Sequence, residues 1–147
     1  MVNQPIMVFT GTYHHAVDSK NRLFLPARLR KSAGRFIVTS GLDRCLYVYP
    51  LKSWVKLIEK LDSINLRDKS EERIFKRIFL SSAVEVQVDA LGRIVIPQVL
   101  KKQACLKKDA VIIGVWSRLE IWSKDGWKSY NEKAKKVFSK LANKLDI

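Results

Sequence analysis

Cysteine is scarce in this chain: Cys45 and Cys105 are the only two in 147 residues, and neither sits in a Cys-x-x-Cys pair. That excludes a disulfide framework and a cysteine-held zinc site, and it suits a reducing cytosol. Long apolar runs are missing as well. No stretch approaches the roughly 20 apolar residues that span a bilayer. Met1 to Phe9 has neither the basic start nor the apolar run of a signal peptide. The expected protein is soluble and cytoplasmic, with no membrane insertion. There is no linker rich in Gly, Pro or Ser and no low-complexity run. His-Glu-x-x-His, a phosphate-binding glycine loop and Gly-x-Ser-x-Gly are all absent. No catalytic residue, metal or cofactor is therefore expected, and the chain reads as a non-enzyme.

Acidic residues are the other shortage. Asp and Glu total 14 against 28 Lys and Arg, a net charge of +14. A field this positive draws polyanions and speeds their encounter. Nucleic acid is the commonest such partner, with anionic membrane and acidic protein behind it. Hydrophobic residues make up 47% of the chain, ample for a globular core.

What is present is a duplication. Asp18-Ser19-Lys20-Asn21-Arg22 recurs as Asp89-Ala90-Leu91-Gly92-Arg93, and each copy is followed by an apolar strand pattern ending in proline, Pro26 or Pro97. The alignment pairs Val17 with Val88, Leu29 with Leu100 and Ala33 with Ala104. After a two-residue insertion in the second copy it pairs Gly41 with Gly114, Leu46 with Leu119 and Trp54 with Trp127. Repeat 1 spans 12–54 and repeat 2 spans 83–127, with a bridging helix over 62–82 and a basic C-terminal helix over 128–147. Modules this short bury too little surface to stand alone, so they are expected to pack together, intertwine or oligomerise.

Local signals agree between the copies. Val84, Val86 and Val88 alternate with polar residues, as in a half-buried strand. Gly92 accepts positive φ freely, and Asn21 is the next most tolerant residue for the same turn. Leu23 and Leu25, or Ile94 and Ile96, face one way on a second short strand. Pro26 and Pro97 suit a helix start, predicting short helices through Leu29–Ala33 and Leu100–Ala104. Phe36–Thr39 with Leu46–Tyr49, and Val111–Ile113 with Leu119–Trp122, predict two more strands per copy. Longer helices are predicted over Leu51–Leu61, Asp68–Leu80 and the C-terminal stripe Trp127, Tyr130, Ala134, Val137, Leu141 and Leu145. That last stripe is expected to pack on its own module or on a neighbouring subunit, as are Trp54, Trp122 and Trp127.

The doubled Asp-x-x-x-Arg, the run Leu23 to Arg30 (Leu-x-Leu-Pro-x-Arg-x-Arg), Gly41-Leu42-Asp43-Arg44-Cys45-Leu46 and the late Glu120-Ile121-Trp122 together resemble the bacterial MraZ proteins. The likeness runs from about Phe9 through Trp127. It implies an α+β fold of two fused β-rich swapped-hairpin barrel modules of the AbrB and SpoVT kind, with flanking helices. It further implies a transcriptional regulator that binds double-stranded DNA at tandem boxes upstream of the division and cell-wall gene cluster. A ring-shaped homo-oligomer and a nucleoid-associated place in the cytoplasm follow from the same resemblance. One departure is Asn21, where the family usually has glycine.

The residues suggest how the labour is divided. Asp18 and Asp89 are expected to be structural, accepting N–H groups across their turns, and Arg93 is grouped with them. A carboxylate dyad between the two is disfavoured, because an arginine four residues along keeps each ionised. The first loop is polar and basic while the second is apolar, so the first is expected to meet DNA and the second protein. Lys20 and Arg22 are the candidates for reading bases. Arg28, Arg30, Lys31 and Arg35 are expected around the first loop, as phosphate contacts. Lys101, Lys102, Lys107 and Lys108 are expected around the second. His14 and His15 are adjacent on a strand and point to opposite faces, so they do not converge on a metal. The alternative function is a non-enzymatic oligomeric scaffold whose basic surface binds acidic protein, membrane or RNA.

Overall fold

The computed structural model describes residues 8–29 and 34–147. Among them lie eight strands: β1 (Thr12–Ala16), β2 (Arg22–Phe24), β3 (Arg35–Ser40), β4 (Leu46–Pro50), β5 (Val84–Gln87), β6 (Arg93–Val95), β7 (Asp109–Val115) and β8 (Arg118–Ser123). Four α-helices accompany them: α1 (Leu51–Ser63), α2 (Lys69–Ser81), α3 (Gln98–Gln103) and α4 (Lys124–Lys144). The fold is α+β with antiparallel pairing throughout.

One six-stranded sheet runs β1-β7-β8-β4-β3-β5, and a separate ribbon pairs β2 with β6. Exchanging each strand for its repeat partner turns the sheet order into its own reverse, which is a twofold relation inside one chain. The register places the axis. Leu23 faces its counterpart Ile94 in the ribbon, and Tyr47 faces Glu120 in the sheet. The repeats also trade strands: β1 of the first joins β7 of the second, and β5 of the second joins β3 of the first. The fused, swapped architecture implied by the family resemblance is present.

The sheet is covered on both sides, which explains why its central strands read as nearly continuous apolar runs rather than clean alternation. On one face Leu46, Val48, Ile112, Leu119 and Ile121 pack against Leu23 and Ile94 of the ribbon and against Leu25 and Ile96, which directly follow its strands. On the other, Tyr47, Tyr49, Val111 and Trp122 meet the helices through Trp54, Leu61, Phe79 and Trp127. Thr39, fully buried, is satisfied by donating to the Phe79 carbonyl at 2.7 Å and by contact with Ser82 Oγ at 2.9 Å, which pins β3 to the end of α2. Glu120 is buried as well. Its carboxylate accepts from Arg118 Nη2 at 2.7 Å and Trp122 Nε1 at 3.1 Å, while the Arg118 guanidinium lies 4.1 Å from the centre of the Tyr47 ring.

Some expectations meet differences. The first short helix is a 3-10 turn over Ala27–Leu29, and its continuation to Ala33 lies outside the described residues. The second is a true helix that Pro97 introduces. The stretch 62–82 holds the end of α1, a loop and then α2, whose Asp68 side chain caps the N–H groups of Ser70 and Glu71. The C-terminal helix begins at Lys124 because Ser123 caps it. Its packing on its own module covers only the first two turns, where Trp127 and Tyr130 lie against Trp122. Beyond them Val137, Phe138, Leu141 and Leu145 are exposed.

Candidate nucleic-acid interface

Each Asp-x-x-x-Arg folds the same way. Asp18 Oδ1 accepts the N–H groups of Lys20 (2.9 Å) and Arg22 (2.8 Å), while Oδ2 accepts Arg22 Nε at 2.6 Å. Asp89 does the same for Leu91 (3.0 Å) and Arg93 (2.9 Å), with Arg93 Nε at 2.8 Å. The backbone N–H of Arg22 is the main influence holding Asp18 below the ordinary carboxylate range; burial opposes it, and the Arg22 guanidinium and the Lys20 N–H add to the lowering. Arg93 does the same to Asp89. Both aspartates are thus committed to their own loops. The loops open opposite ends of the antiparallel ribbon, so the two carboxylates form no dyad.

Only Nε of each arginine is used on its aspartate. Among the described residues the terminal amino groups of Arg22 have no hydrogen-bond partner, and these are the groups that grip a phosphate or the O6/N7 edge of guanine end-on. Holding the guanidinium by one nitrogen removes rotamer freedom before any ligand arrives. The two arginines differ in their surroundings. Arg22 is 31% exposed and follows exposed Ser19 and Lys20. Arg93 is 19% exposed, lies with its Cζ 5.8 Å from the Phe24 ring centre, and follows Leu91, which is 61% exposed.

Strand exchange re-sorts the basic residues between the loops, and this corrects the grouping by sequence proximity. Val17 N–H donates to the Lys108 carbonyl at 2.7 Å, placing Lys108 at the base of the first loop. Asn21 sits at φ 60°, accepts from Lys101 Nζ at 2.9 Å and donates to Gln98 Oε1 at 3.0 Å, so Lys101 also borders the first loop. Arg35 goes the other way. It pairs in register with Gln87, beside the second loop, and its guanidinium is 3.8 Å from Glu85. Arg28 is exposed on the 3-10 turn, just past Leu25, whose N–H reaches the Gly92 carbonyl of the second loop. Arg30 and Lys31 lie outside the described residues. Lys102 and Lys107 are exposed. Lys101 and Lys108 were assignable to the first loop only through the pairing of β1 with β7 and of β2 with β6. The swapped topology implied those pairings, and distance along the chain hid them.

His14 and His15 line a shallow depression of about 210 Å³ with Asp109 and Lys124. Among the described residues no group of three or more His, Cys, Asp or Glu is arranged to hold a metal ion. Cys45 is buried, and burial followed by the nearby Glu120 charge pushes its thiol up to about 12. No helix among the described residues is long and apolar enough to cross a membrane.

Comparison with known proteins bears on this geometry. The model of the MraZ protein family, described as antitoxin-like, matches residues 8–77 and again 79–146. A protein named transcriptional regulator MraZ from Heliobacterium modesticaldum is 49% identical over 139 residues, 94% of this chain and 96% of that protein. Its namesake from Pelotomaculum thermopropionicum is 47% identical over 94% of this chain and 95% of its own length. Another from Clostridium beijerinckii is 49% identical over 95% of this chain and 97% of its own.

Proposed function

The chain belongs to the MraZ family, and on that premise we propose that it is a sequence-specific DNA-binding regulator of transcription that reads duplex DNA with its first Asp-x-x-x-Arg loop. The observation that carries this is Arg22, held by Asp18 through Nε with its terminal amino groups unpartnered among the described residues. Its loop also presents Lys20, is bonded to Lys101 through Asn21 and meets the Lys108 backbone at Val17. The names of its relatives favour the same reading. Arg22 and Lys20 address base edges, while Arg28, Arg30, Lys31, Lys101 and Lys108 supply phosphate contacts that give affinity and salt dependence. Residues 12–54 and 83–127 are the two repeat units, with 62–82 bridging them and 128–147 as a basic extension. The targets are tandem boxes upstream of the division and cell-wall gene cluster, and the site of action is the nucleoid. A ring-shaped homo-oligomer presents several first loops to those boxes at once, which strengthens weak single-site binding without new contacts. The exposed apolar residues of α4 and the apolar second loop favour such an assembly.

A footprint on the DNA upstream of its own gene defines the probe. Affinity is then compared among that duplex, a scrambled duplex and a single-stranded RNA at two salt concentrations, with mass photometry of the free protein. A preference for the natural duplex and particles larger than one chain are expected. Equal affinity for all three ligands sinks the regulator reading. Arg22→Ala is expected to abolish the preference. Arg93→Ala is expected chiefly to reduce stability or assembly, and a fully assembled Arg93→Ala protein that has lost DNA binding overturns the division between the loops.

A further inference from the structure

The ribbon carries a second feature beside Arg22. The Ile96 N–H donates to the Asn21 carbonyl at 2.7 Å, and the Leu25 N–H donates to the Gly92 carbonyl at 3.0 Å. These bonds make 21/96 and 25/92 hydrogen-bonded positions, with Leu23/Ile94 the next in the same series. Arg22/Val95 and Phe24/Arg93 are then the non-hydrogen-bonded pairs, in which facing side chains approach most closely. Leu23 and Ile94 point into the core at 0% exposure, so Arg22, Phe24, Arg93 and Val95 point outward. At the second arginine the facing residue is an aromatic ring. At the first it is Val95, 54% exposed. Val99, also exposed, lies one residue beyond Gln98, which holds the Asn21 side chain. The outward surface at the first loop therefore joins a guanidinium whose terminal amino groups have no partner among the described residues to the exposed methyl groups of Val95, with exposed Val99 on the helix that follows.

That pairing matches one feature of duplex DNA. The major groove admits a two-stranded ribbon, and along its floor the acceptors of guanine suit arginine while the C5-methyl of thymine is the apolar group. We propose that Val95 is a specificity-determining residue that contacts the C5-methyl of a thymine next to the base pair addressed by Arg22. This rests on the DNA-reading role given to Arg22 above. Val95 discriminates by excluding water from that methyl, and Arg22 sets the register that brings it there.

The probe is a duplex recovered by the full chain from a randomised duplex pool, compared with the same duplex carrying deoxyuridine at every thymine. Affinities are measured by fluorescence anisotropy for the unaltered protein, Val95→Ala and Val95→Thr, each checked for folding by circular dichroism. Loss of one contacted methyl is expected to weaken the unaltered protein about fourfold. Val95→Ala should bind both duplexes alike, and Val95→Thr, which keeps the volume and one methyl, should retain part of the difference. If Val95→Ala does not fold, a Val95→Thr ratio below that of the unaltered protein supports the contact and an unchanged ratio overturns it. A chain that selects a sequence but ignores uracil overturns the Val95 contact and leaves the regulator reading standing. The same holds if Val95→Ala keeps the full ratio, with or without a change of assembly. A chain that selects no sequence overturns both.

Discussion

Asn21 occupies left-handed backbone at φ 60°, where the second copy has Gly92 at φ 90°. Its amide makes up for what it lacks in freedom, because it holds Gln98 and Lys101 across the ribbon. Asn21→Ala keeps the turn but loses both bonds and strains the backbone, so a loss of about 1–2 kcal/mol in unfolding free energy is expected. Asn21→Gly should cost less in denaturant titrations while leaving Lys101 unanchored. The aspartates give a pH signature. Because Asp18 and Asp89 are depressed in the folded chain, the unfolded chain binds more protons through the carboxylate range. Their contribution to stability is complete above that range and disappears as pH falls through the folded values. Melting curves should show a stability deficit for Asp18→Asn at pH 7 that shrinks toward pH 3. A constant deficit at both pH values would mean the carboxylate charge is not what holds the loop.

At the scale of elements, the strand exchange decides which groups meet. Lys101 and Lys108 belong to the second repeat by sequence and to the first loop by position. Lys108→Ala is therefore expected to lower the salt slope of duplex binding by about 1, with sequence preference unchanged. An unaltered slope would remove Lys108 from the interface. Much of the fold was legible: the alternation of Val84 to Val88, the turn residues Asn21 and Gly92, and Pro97 each predicted the element found there, whereas Pro26 is followed by a 3-10 turn. The Asp–Arg pairing was legible too, since a carboxylate and a guanidinium at that spacing close one tight turn. What the sequence hid is tertiary. Nothing in the spacing of Lys108 reveals that Val17 binds its carbonyl, and nothing in Val95 reveals that it faces Arg22. The free end of α4 was hidden as well, because its apolar stripe reads identically whether covered or bare.

For the molecule as a whole, the internal axis through Leu23/Ile94 and Tyr47/Glu120 means that neither repeat completes its own sheet. A chain ending at Lys108 lacks β7 and β8, so β1 has no partner and β4 loses a neighbour. Such a truncation is expected to be cleaved throughout by a protease that leaves the full chain intact, and a protected first repeat would show that the exchange is dispensable. The pairing of Thr12 with Ile113 also has a consequence in time. Ribosomes add about 5–20 residues per second, so the N-terminal strand waits several seconds for a partner that has not been made. Until Ile113 leaves the exit tunnel the nascent first repeat stays open, and both halves close in a single late event.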